Sequence, residues 1–192
     1  MCIRDRPRVA NQILPNLIFK KNQTVISFVA TLNSSKLKKK INCKVNLVRA
    51  IPMPPISLGL GPVVMYPPNT KVKNFFNKIG TSIEIKNEKL SNNFWAISGT
   101  MAAFYEMLKI LSDWLVKKKI KREKSQEYIT SLYFALAGLA LENSKKNLKK
   151  FVADSQTPGG LNWQGVNQLR KAGYYKALQN SLNSLLKRLN NS

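Results

Sequence analysis

The stretch Thr157-Pro158-Gly159-Gly160-Leu161-Asn162 holds the residues best suited to chemistry. Two glycines ahead of a helix let the backbone approach a ligand closely and leave several N–H groups free. The positive end of the helix dipole then favours a carboxylate or a phosphate. Thr157 and Asn162 stand ready to add side-chain hydrogen bonds. Pro-Gly-Gly is also a common punctuator, so a tight turn between helices explains the same residues. Ser98-Gly99-Thr100 forms a second stretch, set inside an otherwise helical pattern. A glycine in mid-helix costs about 1 kcal/mol relative to alanine, which calls for a packing or a functional reason. The third is Ile51-Pro52-Met53-Pro54-Pro55, directly after a strand-like run. Ligand-contacting loops of α/β domains lie in such places, and a rigid linker is the plainer reading.

Much other chemistry is excluded. The 192 residues include no histidine, which removes His-based triads, His metal ligands and His acid–base work. Cys2 and Cys43 are too few for a disulfide scaffold or a structural zinc, so no metal site is expected. Glu106, Asp113, Glu123, Glu127, Glu142 and Asp154 fall on predicted helix surfaces or ends and form no acid–base pair. No catalytic side chain is therefore assigned. No Gly-x-Gly-x-x-Gly follows a strand, so these residues lack the pyrophosphate cradle of a dinucleotide fold.

Lys and Arg number 32 against 9 Asp and Glu, a formal charge of +23. The lysines are scattered, with short clusters at Lys38-Lys39-Lys40, Lys117-Lys118-Lys119 and Lys145-Lys146…Lys149-Lys150. They are not interleaved with aromatics, so they read as solvated helix faces and not as a specific nucleic-acid site. The apolar stretch from Leu132 to Leu141 is too short to span a bilayer, and the chain does not open on a signal peptide. A cytoplasmic protein without membrane attachment is the expectation.

The elements that must hold these stretches change character along the chain. Met1 to Arg8 carries three of seven arginines in a chain that otherwise prefers lysine, 25 Lys to 4 Arg after residue 8, and reads as a non-native leader. Thr24 to Ala30 has the β-branched profile of a parallel strand buried on both faces. A helix over Ser34 to Ile41 and a strand over Lys44 to Arg49 continue an α/β rhythm. Three prolines within Ile51–Pro55 exclude a helix or central strand there. Val63 to Met65 is strand-like, Lys71 to Ile79 is helical with Val72, Phe75, Phe76 and Ile79 on one side, and Thr81 to Ile85 is a last strand. From about Leu90 the pattern turns helical. One long helix spans Phe94 to Lys118, with a Met and aromatic stripe assigned to the core. A second spans Ser125 to Glu142, apolar nearly all round and so buried by more than its own small domain provides. A short piece at Leu148–Val152 follows, then one or two helices over Leu161 to Leu189, parted at Gly173.

Taken in order, three segments resemble pyrroline-5-carboxylate reductases. Arg49-Ala50-Ile51-Pro52-Met53-Pro54-Pro55 followed by Gly59-x-Gly61 is similar to that family's R-V-M-P-N-T-P…G-x-G loop. Ala96-Ile97-Ser98-Gly99-Thr100-Met101-Ala102-Ala103 resembles its S-G-S-G-P-A segment, and Asp154-Ser155-Gln156-Thr157-Pro158-Gly159-Gly160-Leu161-Asn162 its T-S-P-G-G-T-T signature, with Thr157 at the Ser before the proline. Met53 replaces the loop Asn, Met101-Ala102 stands for Gly-Pro, and Leu161-Asn162 for two threonines or Ala and Thr, which leaves the exact imine open.

The resemblance implies a fold of α/β plus all-α class. A C-terminal remnant of a Rossmann-like parallel sheet over residues 9–89 would be followed by an all-helical dimerisation and substrate-binding domain over 90–192. It implies reduction of 1-pyrroline-5-carboxylate to L-proline with hydride from NADPH or NADH, in a homodimer or higher oligomer. Thr157, Gly159, Gly160 and Asn162 would hold the substrate carboxylate, with Ser98 and Gly99 lining the pocket. Ala30, Pro52 and Met53 would border the cofactor. The family's Gly-rich turn would lie upstream, so the residues given read as a fragment that binds a dinucleotide weakly and exposes a sheet edge. A non-catalytic dimerisation module is the alternative.

Overall fold

The computed structural model describes residues 12–30 and 32–191. The leader assigned to Met1–Arg8 lies outside them. The chain divides into two compact units, one reaching Trp95 and including the chain from Leu189 onward, the other spanning Ala96–Arg188.

The first unit is built on a four-stranded sheet. Its strands are β1 (Thr24–Ser27), β2 (Asn46–Pro52), β3 (Pro62–Tyr66) and β4 (Thr81–Glu84), in the order β1-β2-β3-β4. β1 runs parallel to β2, with Thr24 opposite Asn46 and Ser27 opposite Arg49. β3 runs antiparallel to β2 and parallel to β4. The short β2–β3 connection dictates the antiparallel pair, since a parallel return needs a long crossover. Between strands lie α1 (Ser34–Lys38), capped by the Asn33 side chain, and α2 (Thr70–Phe76), capped by Asn69. Strand alternation sorts the core onto two faces. Val48, Ala50, Val63 and Met65 pack with Val72 and Phe76 on one, and Leu47 packs with Leu32, Leu37 and Ile41 on the other.

Several expectations are corrected here. The strand buried on both faces is β2, not β1; β1 is an edge strand of four residues, with Thr24 exposed and Val25 and Ile26 half-buried. The prolines exclude neither helix nor central strand. Pro52 ends β2 opposite Val63, beyond the point where β1 stops, so this end of β2 pairs on one side only and tolerates proline. Pro54–Leu58 forms a 3₁₀ helix with proline in its first turn, where an N–H has no partner in any case. On α2, only Val72 and Phe76 face the core; Phe75 and the following Ile79 are exposed.

The second unit is helical. α3 (Ser91–Ser98) leads into it, followed by α4 (Met101–Lys117), α5 (Arg122–Glu142), α6 (Leu148–Asp154), α7 (Leu161–Lys171) and α8 (Tyr174–Asn190). α4 packs on α5, with Ser112, Ser125 and Ile129 buried. The long helix expected over Phe94–Lys118 is broken. The Gly99 and Thr100 amides donate to Ala96 and Ile97 at 3.1 and 3.0 Å, and the Thr100 hydroxyl donates to the Ile97 carbonyl at 2.7 Å. This tight i→i−3 turn ends α3 before α4 begins. The Met and aromatic stripe is not core within the single chain, because Met101, Phe104 and Tyr105 are 38%, 45% and 62% exposed. α5 matches its expectation more closely, with Tyr128, Leu132, Phe134 and Leu136 all exposed.

Candidate functional site

The Thr157 segment joins α6 to α7 as a reverse turn. The Gly160 amide donates to the Thr157 carbonyl at 2.8 Å, Pro158 occupies the second position, and Gly159 takes φ +73° in the third. Proline followed by a left-handed residue is the signature of a type II turn. The residue in the third position adopts a conformation that glycine reaches without strain. Gly160 is the N-cap of α7, and no side chain caps the first turn. A Cβ on Gly160 would stand 3.1 Å from the Thr157 carbonyl oxygen.

Thr157, Gly159 and Asn162 are exposed and Gly160 is half-buried, so the uncapped end of α7 is open to an acceptor from outside the chain. The Asn162 side chain is already engaged, its Nδ2 donating to the Ser155 carbonyl at 3.0 Å. It braces the loop against the end of α6.

Ser98 and Gly99 sit at the α3–α4 break, Ser98 half-buried and Gly99 exposed. A Cβ on Gly99 would meet Leu185 Cδ1 at 3.1 Å and the Ala96 carbonyl at 3.2 Å. Gly99 thus packs closely against Leu185 of α8.

Ala30, Pro52 and Met53 belong to the first unit. Ala30 follows β1 and Pro52 ends β2, so both mark the carboxyl ends of a parallel strand pair. Ligands of open α/β sheets bind at that edge. All three are half-buried.

The same edge holds a cluster in which sequence reasoning saw only Arg49 as part of a motif. Arg49 lies in β2 and is 3% exposed. Its Nη1 pairs with Glu88 Oε1, and its Nη2 donates to the Ala30 carbonyl at 2.9 Å. The guanidinium carbon stands 4.9 Å from the centre of the Trp95 ring, and Nε is buried without a partner among the described residues. Glu88 Oε1 also accepts from the Ser34 amide at 2.7 Å and the Ser34 hydroxyl at 2.9 Å. Burial works to raise the Glu88 carboxyl, but the Ser34 amide, the Arg49 guanidinium and the Ser34 hydroxyl together hold it below the ordinary glutamate value. Burial draws Arg49 below its ordinary value against the opposing pull of Glu88.

Ala30, Arg49, Glu88 and Trp95 border a cavity of about 620 Å³ that also takes in Asn33, Lys36, Lys89, Asn92 and the Leu189–Asn191 segment. The signal for the cluster was present in the sequence: an arginine inside the apolar run Leu47-Val48-Arg49-Ala50-Ile51 demands a buried acidic partner. Among the described residues no group of acidic or cysteine side chains is arranged to hold a metal ion. No helix among them is long and apolar enough to cross a membrane.

Known proteins resemble most of this chain. The model of the pyrroline-5-carboxylate reductase dimerisation family matches residues 88–191. A curated pyrroline-5-carboxylate reductase of Vibrio alginolyticus is 23% identical over 147 residues, covering 72% of this chain and 54% of its own length. The chain thus spans about half of that relative.

Among solved structures, a pyrroline carboxylate reductase of Plasmodium falciparum with NADP bound superimposes with a TM-score of 0.78 at 24% identity, covering 95% of this chain and 77% of that one. A 1-pyrroline-5-carboxylate reductase of Streptococcus pyogenes does so at 0.80 and 20% identity, over 97% and 73%. A Coxiella burnetii pyrroline-5-carboxylate reductase gives 0.79 at 18% identity, over 95% and 70%. At such identities the structural likeness establishes the fold, and the family model, which covers more than half of the residues, establishes the lineage. The chain belongs to the pyrroline-5-carboxylate reductase family, whose dimerisation domain it carries at residues 88–191.

Proposed function

We propose that this chain serves the NAD(P)H-dependent reduction of 1-pyrroline-5-carboxylate to L-proline, working as a homodimer through its helical unit. The observation that carries the reading is the family match over residues 88–191, which includes the turn at Thr157–Asn162. The nicotinamide cofactor would supply a hydride to the carbon of the ring imine in its N-protonated form, which yields the amine directly. Such a transfer needs positioning more than a titrating side chain, so the absence of histidine is no objection.

Each assigned residue has a physical task. The substrate carboxylate would meet the uncapped N–H groups at the start of α7, beside Gly159 and Gly160, where the helix dipole favours an anion. Thr157 adds a hydroxyl, and Asn162 holds the loop through its bond to Ser155. Ser98 and Gly99 line the pocket at the α3–α4 break. Ala30, Pro52 and Met53, at the carboxyl ends of β1 and β2, border the cofactor. They fit the rim of a nicotinamide site; a pyrophosphate-binding Gly-x-Gly-x-x-Gly is not among the residues given.

A second reading, a dimerisation module without cofactor chemistry, rests on the family match lying in the dimerisation domain, residues 88–191. Expressing the whole reading frame that carries these residues separates the two. Oxidation of NADPH or NADH that requires pyrroline-5-carboxylate supports the reductase and reveals its cofactor preference. A protein that self-associates but neither binds nor oxidises either nucleotide is the module.

A further inference from the structure

The geometry points to Arg49 as a positioning residue for the cofactor, an inference that rests on the reductase reading. Arg49 stands three residues before Pro52 in β2 and reaches two other segments through separate arms. One arm pairs with Glu88, which in turn accepts from the Ser34 amide and hydroxyl at the start of α1. The other donates to the Ala30 carbonyl. Its flat face lies against Trp95 of α3. One side chain therefore ties the Ala30 segment to the strand that ends at Pro52 and leads into Met53.

Charge neutralisation needs only the first arm. Holding Ala30 needs the second, and the planar fork of arginine reaches two acceptors where a lysine ammonium is a point charge on a flexible stem. Arg49→Lys separates the two roles. It keeps the charge facing Glu88 and gives up the bond to Ala30, whereas Arg49→Met gives up both.

The test uses the protein from the whole reading frame and follows thermal unfolding together with NADPH affinity by nicotinamide fluorescence. Arg49→Lys is expected to restore most of the melting temperature lost in Arg49→Met. Its Kd for NADPH is expected to stay about ten-fold above the parent, the effect of one charge-assisted hydrogen bond. The KM for pyrroline-5-carboxylate should move far less. An Arg49→Lys protein that binds NADPH as tightly as the parent overturns the proposal and leaves a structural ion pair. A parent that binds no NADPH overturns the reductase reading, and the proposal with it.

If neither variant folds, the parent itself supplies the test. Its Arg49 guanidinium N–H resonances should be sharp and should shift when NADPH is added. Resonances unmoved by saturating NADPH overturn the proposal.

Discussion

The sheet unit and the helical unit solve the problem of burial differently. Around the sheet, Val48, Ala50, Val63, Met65, Val72 and Phe76 are each at most 2% exposed. Between Ala96 and Arg188 the buried apolar side chains among the described residues are Ala96 and Ile129. There Tyr128, Leu132, Leu136 and Leu139, spaced to share one face of α5, remain in contact with solvent. Apolar patches of this extent mark surfaces that another protein covers. The sheet unit has a finished core, and the helical unit of the single chain does not. A dimerisation domain has this character when a single copy is described.

Substitutions can break that contrast, beginning with the largest effect. Phe76→Ala should destabilise the sheet unit by ~3–5 kcal/mol, since Phe76 is 1% exposed and packs edge-on against Phe28. Phe104→Ala in α4, 45% exposed, should cost less than ~1 kcal/mol in urea denaturation of the dissociated chain. Equal losses would erase the distinction. Arg49→Met should cost about 3 kcal/mol, because it leaves the partly buried Glu88 carboxylate without its cation.

Leu132→Asp combined with Leu136→Asp should preserve helical circular dichroism and weaken self-association at least about 30-fold, the effect of losing an apolar interface centre. Sedimentation velocity over a concentration series reads this directly. Gly159→Ala should cost about 1 kcal/mol through strain at its left-handed φ, with the melting temperature as the readout.

The smallest effect is that of pH. The Glu88 carboxyl is held below its ordinary 4.5, so its contribution is complete above that value and is lost as pH falls through the folded-state pKa. Glu88→Gln should lower the denaturation midpoint at neutral pH and flatten its decline in acid.

How much was legible in the sequence follows the same division. The family motifs located the Thr157 turn, and helical spacing located α5, because turn chemistry and periodicity are local signals. Ile51–Pro55 misleads, because β1 stops short of Pro52 and that non-local fact is what lets proline end β2. The Arg49–Glu88 pair joins residues 39 apart in sequence, a contact that no local pattern encodes. Phe104 and Tyr105 read as core because hydrophobicity marks a face suited to burial, yet both are exposed in the single chain.

Sedimentation equilibrium of the chain tests the central claim, that the helical unit completes its core with a second copy. A species of twice the 21.7 kDa chain mass is expected at micromolar concentration, with little binding of an apolar dye. A stable monomer that does not bind the dye would contradict it, because the exposed faces of α4 and α5 would then need no partner.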